Sequence, residues 1–421
     1  MTRMDWPMAT SSSRWDSARR CPPRSRRHNM AMPQTPMFAD TGATLCSEGD
    51  FLLLLRAQRP GCGSLDWFRE HRRAVRSALD NYGAVFFRGF ETDTRQFQDA
   101  LDILEPEHFE MIDVVTPRSH VRETLYTSTQ AHPEIRIAQH QEMAYHVRPP
   151  WYLGFYCEVP SEGDGFTPVN DLRRLGRSAR RLYPSVLDRF IELGVSYVRN
   201  FNKYSFKSWQ TCWETTSRAE VEAKLRNDNT EFEWVDGDWL RTFQRRPAVL
   251  RDPVSKAEIL YPSFGIFHHT FLEHIAEKMG LPPPPSEAEQ ALACYFGDGS
   301  PIPEDFRAWV HGEVLATSVS IPWQSGDFLL MSNLITGHGR TPYSNLKRAL
   351  HASFRGRLDL RALALAAMPA LLCARIARLR SSVRPSCRKK IRLPTPHSGA
   401  VRNWSPPAAP WLTPSARAVP M

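Results

Sequence analysis

The chain has 421 residues, enough for one large domain or two ordinary ones, and its 42% hydrophobic and 11% aromatic residues can build a large core. Its formal net charge is +9, but residues 360–421 contribute +11 and residues 1–36 contribute +5, so that residues 37–359 carry −7. This acidic central region argues against nucleic-acid binding by the core, and the lack of an apolar run of about 18 residues argues against a membrane span.

Composition divides the chain into three segments. Residues 1–40 are rich in Arg, Ser, Pro and Met, which predicts a disordered or non-native extension, with a transit peptide as the alternative. Residues 41–358 carry the patterns of a folded domain. Residues 359–421 predict a disordered tail rich in Pro, Ala and Arg, with a basic arm for membrane or nucleic acid as the alternative. The eight cysteines form no CxxC pair and the N-terminal sequence lacks an apolar signal stretch, so we expect a cytoplasmic protein.

Periodic patterns predict the elements of the central domain. A helix begins after an N-cap at Ser64 and runs to Leu79, and Ala84–Phe87 is a short buried strand. Further along, the patterns predict a helix over Phe97–Leu104, a strand over Leu153–Cys157, a helix over Leu172–Leu193, a strand over Val195–Val198 that enters a loop at Asn200, a strand over Asp327–Ser332 that ends before a loop with His338, and a strand over Ala349–Phe354.

Two short stretches, far apart in the chain, offer metal ligands. His140 and Glu142 stand at i and i+2, where a strand would point both side chains to one face. His338 is the best placed third ligand. Two histidines and one carboxylate suit a non-haem Fe(II) centre with open coordination positions, and zinc could fill the same set.

The sequence around these residues is more specific than the ligand set. In order along the chain, the informative stretches are Gly83–Phe90, Ile137–His146, Leu153–Cys157, Gly163–Asp171, Val195–Asn200, Ser208–Gln210 and His338–Arg340. With these spacings, residues 45–356 resemble the taurine-dioxygenase (TauD/TfdA-like) family of Fe(II)/2-oxoglutarate oxygenases, in the branch of syringomycin-type amino-acid hydroxylases that uses Glu as the carboxylate ligand. The resemblance implies a mainly β fold with flanking helices around a distorted double-stranded β-helix (jelly-roll) core.

The same resemblance implies the chemistry. Fe(II), held by His140, Glu142 and His338, would use 2-oxoglutarate and O2 as cosubstrates to oxidise an unactivated C–H bond, releasing succinate and CO2. Because Glu142 occupies the position that halogenases leave open for chloride, hydroxylation is favoured, while desaturation and cyclisation stay open. The implied substrate is a small polar molecule, such as an amino acid, free or tethered to a carrier protein.

The distal carboxylate of 2-oxoglutarate needs a buried cation, and Arg suits it because a planar guanidinium can pair with a carboxylate through two hydrogen bonds. The family places such an arginine downstream of the second histidine, and we rank Arg348 first and Arg355 second. Arg340 is a further candidate, either for a carboxylate contact or for support of the metal site. Thr167 matches the family threonine whose hydroxyl contacts a carboxylate of 2-oxoglutarate.

Residues near the motifs receive other roles. We expect Asn333 and Asp171 to orient loops, and Met143 and Tyr145 are candidates for the cavity mouth. A lid built from the region of Asn200, Tyr204 and Trp209 is a further expectation. The histidines that match no ligand position of the family are His146, His268, His269 and His351.

Two departures from the family pattern keep other functions open. Leu260–Ser263 stands where a Trp-Phe-Asn-like stretch is expected, and Ala352 stands where taurine dioxygenase has a second arginine. One alternative is a zinc-dependent hydrolase that uses the same three ligands. The other is a catalytically inactive relative that acts as a binding module. The sequence predicts no oligomeric state.

Overall fold

The computed structural model describes residue 38 and residues 43–48, 50–58, 65–110, 120–122, 125–129, 131–267, 269–278, 280–284 and 286–365. The predicted extension up to residue 37, the predicted tail beyond residue 365 and the predicted N-cap Ser64 lie outside these residues. The strands are β1 (Ala43–Glu48), β2 (Leu52–Ala57), β3 (Ala84–Arg88), β4 (His120–Arg122), β5 (Leu125–Thr127), β6 (Ile137–His140), β7 (Tyr152–Val159), β8 (Val169–Asp171), β9 (Val195–Phe201), β10 (Glu231–Asp236), β11 (Trp239–Arg246), β12 (Val249–Arg251), β13 (Glu258–Leu260), β14 (Leu292–Phe296), β15 (Phe328–Ser332), β16 (Thr336–Arg340) and β17 (Ala349–Arg355).

Helices flank these strands, as the sequence predicts for a mainly β fold. None of the helices in the described residues is long and apolar enough to cross a bilayer. The helices are α1 (Leu65–Asn81), α2 (Thr94–Leu104), α3 (Leu172–Leu182), α4 (Pro184–Leu193), α5 (Trp209–Trp213), α6 (Arg218–Asn227), α7 (His269–Lys278), α8 (Glu304–Thr317) and α9 (Leu360–Leu363).

An eight-stranded sheet, in the order β1-β2-β3-β15-β7-β17-β5-β4, forms the centre of the fold. All neighbouring strands are antiparallel except β2 and β3, which are parallel. Since successive strand residues point to opposite faces, Phe87 and Phe328 pack against α1 and α2, whereas Phe86 and Leu329 belong to the larger cluster on the other face. Both faces of the sheet are therefore covered.

A second, three-stranded sheet in the order β6-β16-β8 lies against that other face. Phe155 of β7 places its ring centroid 5.2 Å from that of His338 on β16, so the two sheets face each other across the site. Asp171, at the end of β8, accepts a hydrogen bond from Arg173 N at 2.9 Å and thereby caps α3. The four-stranded sheet β10-β11-β9-β14 and the β12-β13 hairpin complete the described strands.

Several predicted elements are confirmed, with somewhat different bounds. The strand at Ala84–Phe87 extends to Arg88, and the helix predicted from Phe97 begins at Thr94 because Asp93 and Gln96 form a capping box. The strand predicted over Leu153–Cys157 is β7, and the strand predicted over Ala349–Phe354 is β17. The strand predicted over Asp327–Ser332 is β15, which begins at Phe328.

Three predicted boundaries are wrong. The helix predicted over Leu172–Leu193 is two helices, because Pro184 lacks an N–H and begins α4 at its first position. Asn200 is not in a loop, since β9 continues to Phe201 and Asn200 pairs with Arg241 of β11. His338 also lies on a strand, β16, rather than in a loop.

Packing continues into the first residues of the predicted tail. Leu360 of α9 is 1% exposed, and Leu365 N donates to Val249 O at 3.1 Å. At the other end, Phe38 is buried against the cluster that contains α1 and α2. The described core therefore includes residues on both sides of the predicted 41–358 domain.

Candidate active site

The first two candidate ligands flank the end of a strand. His140 is the last residue of β6, and Glu142 lies in the turn that follows, so the expected placement of both on one strand is wrong. Met143 has a φ of 53°, in the left-handed region, and His146 N donates to Met143 O at 2.8 Å. This turn, rather than strand alternation, brings the Glu142 carboxylate back toward His140.

The third candidate ligand comes from the neighbouring strand. His338 of β16 lies opposite His140 in the antiparallel register, and their ring centroids are 4.5 Å apart. His338 Nε2 lies 3.6 Å from Glu142 Oε2. One ligand atom from each of the three residues lies within 4.8 Å of the others, and among the residues that the structure describes they form the one such group.

Close backbone approach makes this register possible. A Cβ atom on Gly339 would lie 2.6 Å from Ile137 O, and one on Gly337 would lie 2.6 Å from Asn170 Oδ1. Both glycines flank His338, so a side chain at either position would push β16 away from β6 or β8. The glycines therefore help to place His338 opposite His140.

A hydrogen bond sets the tautomer of His140. Its Nδ1 lies 2.9 Å from Ala138 O, and since a carbonyl can only accept, Nδ1 carries the proton. The lone pair is then on Nε2, which is the usual arrangement for a histidine that binds a metal through Nε2.

Asn333 holds the backbone of Glu142 from both sides. Its Oδ1 accepts from Glu142 N at 2.8 Å, and its Nδ2 donates to Glu142 O at 3.0 Å and to Pro150 O at 2.9 Å. The side chain is fully buried. Asn333 therefore orients a loop, as expected, and that loop carries the metal carboxylate.

Ser263 supports the adjacent residue, a role that its place in the sequence does not indicate. Its Oγ accepts from Gln141 N at 3.1 Å and lies 3.2 Å from Gln141 O, to which it can donate. In the sequence, Ser263 is notable only as part of a stretch that departs from the family pattern. The contact joins residues far apart in the chain, and no local pattern could have revealed it.

The three candidate ligands open into a cavity of about 1160 Å³, including the part open to solvent. Met143 and Tyr145 line the cavity, as expected, whereas Asn200, Tyr204 and Trp209 do not. The predicted site residues that line it are His140, Glu142, His338, Thr167, Arg340 and Arg348.

Arg348 contributes its guanidinium group to the wall of this cavity. Its Nη2 donates to Gly165 O at 3.0 Å, while its buried Nε has no acceptor. Burial lowers the pKa of the Arg348 guanidinium below its usual range, which means that the charged form lacks solvation. Thr167 Oγ1 accepts from Trp323 Nε1 at 3.2 Å, so its own hydroxyl proton remains available to a ligand. Arg348 and Thr167 together suit an anion.

Arg340, unlike Arg348, uses both of its Nη atoms to hold main-chain carbonyls. Its Nη1 donates to Thr129 O at 3.3 Å and Ala131 O at 3.1 Å, and its Nη2 donates to His132 O at 2.7 Å and Ile135 O at 2.9 Å. Burial lowers the pKa of Arg340 to about 10, so that the guanidinium is still protonated near neutral pH. Arg340 thereby holds Thr129 and residues 131–135, part of which forms one wall of the cavity.

Arg355 does not line this cavity. Its ranking as the second candidate for binding 2-oxoglutarate is therefore wrong. Arg355 is fully buried and pairs with Asp102 of α2, with 2.9 Å between Nη2 and Oδ1. The cause is strand alternation on β17, because Leu350 lines the cavity and Arg355 has the opposite parity. His351 shares that opposite face and pairs with Glu158 at 2.7 Å.

Comparison with known proteins gives a family match over most of the chain. The family described as "Taurine catabolism dioxygenase TauD, TfdA family" matches residues 63–353. The dapdiamide synthesis protein DdaC of Enterobacter agglomerans is 29% identical over 281 residues, which cover 66% of this chain and 84% of that protein. A clavaminate synthase-like protein of Arabidopsis thaliana is 26% identical over 282 residues, covering 65% of this chain and 82% of that protein.

Solved structures give weaker likenesses. PvcB of Pseudomonas aeruginosa superposes with a TM-score of 0.44 and 16% identity, over 78% of this chain and 95% of that chain. A taurine dioxygenase of Burkholderia xenovorans gives a TM-score of 0.43 and 15% identity, over 75% of this chain and 89% of that chain. The family match over residues 63–353 is the basis for assigning this chain to a family.

Proposed function

Because the chain belongs to the TauD/TfdA family and is an Fe(II)- and 2-oxoglutarate-dependent dioxygenase, we propose that it hydroxylates an unactivated C–H bond of a small-molecule substrate. The observation that carries the proposal is the convergence of His140, Glu142 and His338 at a cavity that Arg348 and Thr167 also line. The family assignment disfavours the zinc-hydrolase alternative. An inactive binding module would have no need for three convergent ligand atoms.

In this proposal, His140, Glu142 and His338 hold the iron. Bound Fe(II), with 2-oxoglutarate and O2, supplies the oxidising power that breaks the C–H bond. The chain's own contribution is to fix the three ligand atoms and to leave the remaining coordination positions to the cosubstrates. The hydrogen bond from His140 Nδ1 to Ala138 O and the contacts of Asn333 with Glu142 serve that purpose.

Arg348 and Thr167 bind 2-oxoglutarate. The Arg348 guanidinium in the cavity wall and the available hydroxyl proton of Thr167 suit its distal carboxylate. Arg340 positions a cavity wall, since both of its Nη atoms already donate to main-chain carbonyls.

We also propose that the eight-stranded sheet and the β6-β16-β8 sheet form a distorted double-stranded β-helix. Two features support this reading: the contact between Phe155 and His338 across the two sheets, and the order in which β7, β15 and β17 pair. The oxygenase domain would then comprise residues 41–358 together with the packed residues that follow. The substrate of this domain is either a free small molecule, such as an amino acid, or one tethered to a carrier protein.

The proposal is tested by oxygen-isotope labelling. The iron-loaded protein is incubated with 2-oxoglutarate, 18O2 and the small-molecule fraction of a cell extract, with or without purified carrier proteins, and the products are analysed by mass spectrometry. We expect succinate together with a product that gains one 18O atom, and neither with His140→Ala. Products that lose two hydrogens instead of gaining oxygen would replace hydroxylation by desaturation.

A further inference from the structure

One part of the cavity is lined by hydrocarbon. Ile135 and Ile275 are almost fully buried and pack together, and Phe206 and Phe271 are half-buried against them. Phe206 follows β9, whereas Phe271 and Ile275 stand one turn apart on α7. We call this region the apolar chamber and define it by six lining residues: Ile135, Met143, Phe206, Ile266, Phe271 and Ile275.

Each charged side chain that lines the cavity already has a partner or a proposed role in holding the metal or the cosubstrate. Among the described lining residues the one carboxylate is Glu142 and the cations are Arg340 and Arg348, apart from three histidines of which two are candidate metal ligands. Glu142 faces His338, Arg340 holds main-chain carbonyls of Thr129 and residues 131–135, and Arg348 suits the cosubstrate. The ammonium and carboxylate of a free amino acid would therefore find no separate counter-ions in these walls, and leaving them unpaired would be costly.

The remaining polar lining is uncharged or weakly basic. It consists of hydroxyls from Ser128, Thr129, Tyr145 and Thr167 and the imidazole of His132. Such groups suit an amide or a hydroxyl rather than an ionic headgroup. Partly exposed aromatic side chains that face a cavity are typical of a surface that a ligand covers.

We infer that the substrate presents an aliphatic or aromatic hydrocarbon group to the metal and keeps its polar part outside the apolar chamber. This inference rests on the proposed function, because it concerns the substrate of the same site. It narrows the expected polar small molecule to one whose reacting end is apolar. An acyl or aminoacyl group joined to a larger molecule through an amide or ester has this form, whereas a free, fully charged amino acid does not.

The test uses two probes of nearly equal shape. N-acetyl-L-leucinamide and N-acetyl-L-asparaginamide share one backbone. The side chain of the first ends in a hydrocarbon group, and that of the second ends in an amide. Each is titrated anaerobically into the protein loaded with Fe(II) and 2-oxoglutarate, and the perturbation of the metal-to-ligand charge-transfer band is followed. Because burying a leucine side chain favours binding by roughly tenfold or more, we expect half-saturation at a concentration at least about tenfold lower for the leucine probe.

Two variants connect the preference to the chamber. Phe271→Asn places an amide in a half-buried position of α7 and should erase most of that tenfold difference while the charge-transfer band with 2-oxoglutarate remains. Glu277→Gln, at an exposed position of the same helix, should behave as wild type. A retained band shows that the variant is folded around its metal site.

The outcomes separate this inference from the proposed function. If wild type forms no band with 2-oxoglutarate, the proposed function fails and the inference falls with it. If the band forms but the asparagine probe acts at the same or a lower concentration, the inference is overturned and the function stands. The inference is also overturned, with the function intact, if neither probe perturbs the band up to millimolar concentrations.

Discussion

The metal end of the cavity and the apolar chamber are held by different forces. His140, Glu142 and His338 are fixed by strand register and by hydrogen bonds from residues such as Asn333. The chamber is built from loops and α7, whose apolar side chains pack without directional bonds. The contrast indicates that single changes at the metal end should abolish chemistry sharply, whereas changes in the chamber should shift substrate preference gradually.

The largest effect on cosubstrate binding should come from Arg348. Arg348→Ala removes a guanidinium group from the cavity wall, and we expect the Kd for 2-oxoglutarate to rise about 100-fold, as for the loss of a charge-assisted pair. Arg355→Ala is the matched control, since it removes another buried arginine whose partner is Asp102. It should lower the free energy of unfolding and leave that Kd within about threefold. Isothermal titration and urea unfolding measure the two quantities, and the reverse pattern would refute the placement of the anion site.

A smaller effect, on the affinity for Fe(II), is expected from the residues that support the metal ligands. Asn333→Ala removes the hydrogen bonds that hold Glu142, and we expect the affinity for Fe(II) to fall about 10- to 100-fold, as for loss of groups that orient metal ligands. Ser263→Ala, which loosens only Gln141, should cost less than about fivefold. Competition with a coloured chelator gives both affinities. Equal affinities for wild type and Asn333→Ala would show that this clamp does not position the carboxylate.

The smallest effect concerns the backbone fit at the metal end. Gly339→Ala would bring a Cβ to 2.6 Å from Ile137 O, and we expect the free energy of unfolding to fall by about 1–3 kcal/mol. Gly312→Ala is the control, since a Cβ there meets nothing within 4 Å and lies within α8. It should raise stability by about 0.5–1 kcal/mol. Thermal unfolding of both variants measures these changes, and a stable Gly339→Ala protein would argue against the tight register of β16 with β6.

The metal end could be anticipated from sequence because its ligands stand in short motifs. The pair His140 and Glu142 and the distant His338 carry their own chemistry, and the structure brings them together. Local geometry is less accessible, because Glu142 reaches His140 through a turn with a left-handed Met143 and not through strand alternation. The spacing of the motifs correctly predicts which three side chains meet. It does not predict the path of the backbone between His140 and Glu142.

Other features depend on contacts that no local pattern encodes. The exclusion of Arg355 from the cavity follows from the side-chain alternation along β17, and a sequence gives no register for a strand near a bulge. The hydrogen bonds from Ser263 to Gln141 join distant segments. Phe271 and Ile275 have the spacing of ordinary core residues on a helix, so that only the structure places them in a cavity wall.

The most direct test of the iron site is anaerobic titration of the Fe(II)-loaded protein with 2-oxoglutarate, monitored by visible absorption. We expect a weak metal-to-ligand charge-transfer band in wild type and in His351→Gln, whose histidine pairs with Glu158 away from the cavity. We expect no band in His338→Ala. A band that persists in His338→Ala, or a wild-type protein that binds iron yet forms no band, would contradict the assignment of His140, Glu142 and His338 as the iron site.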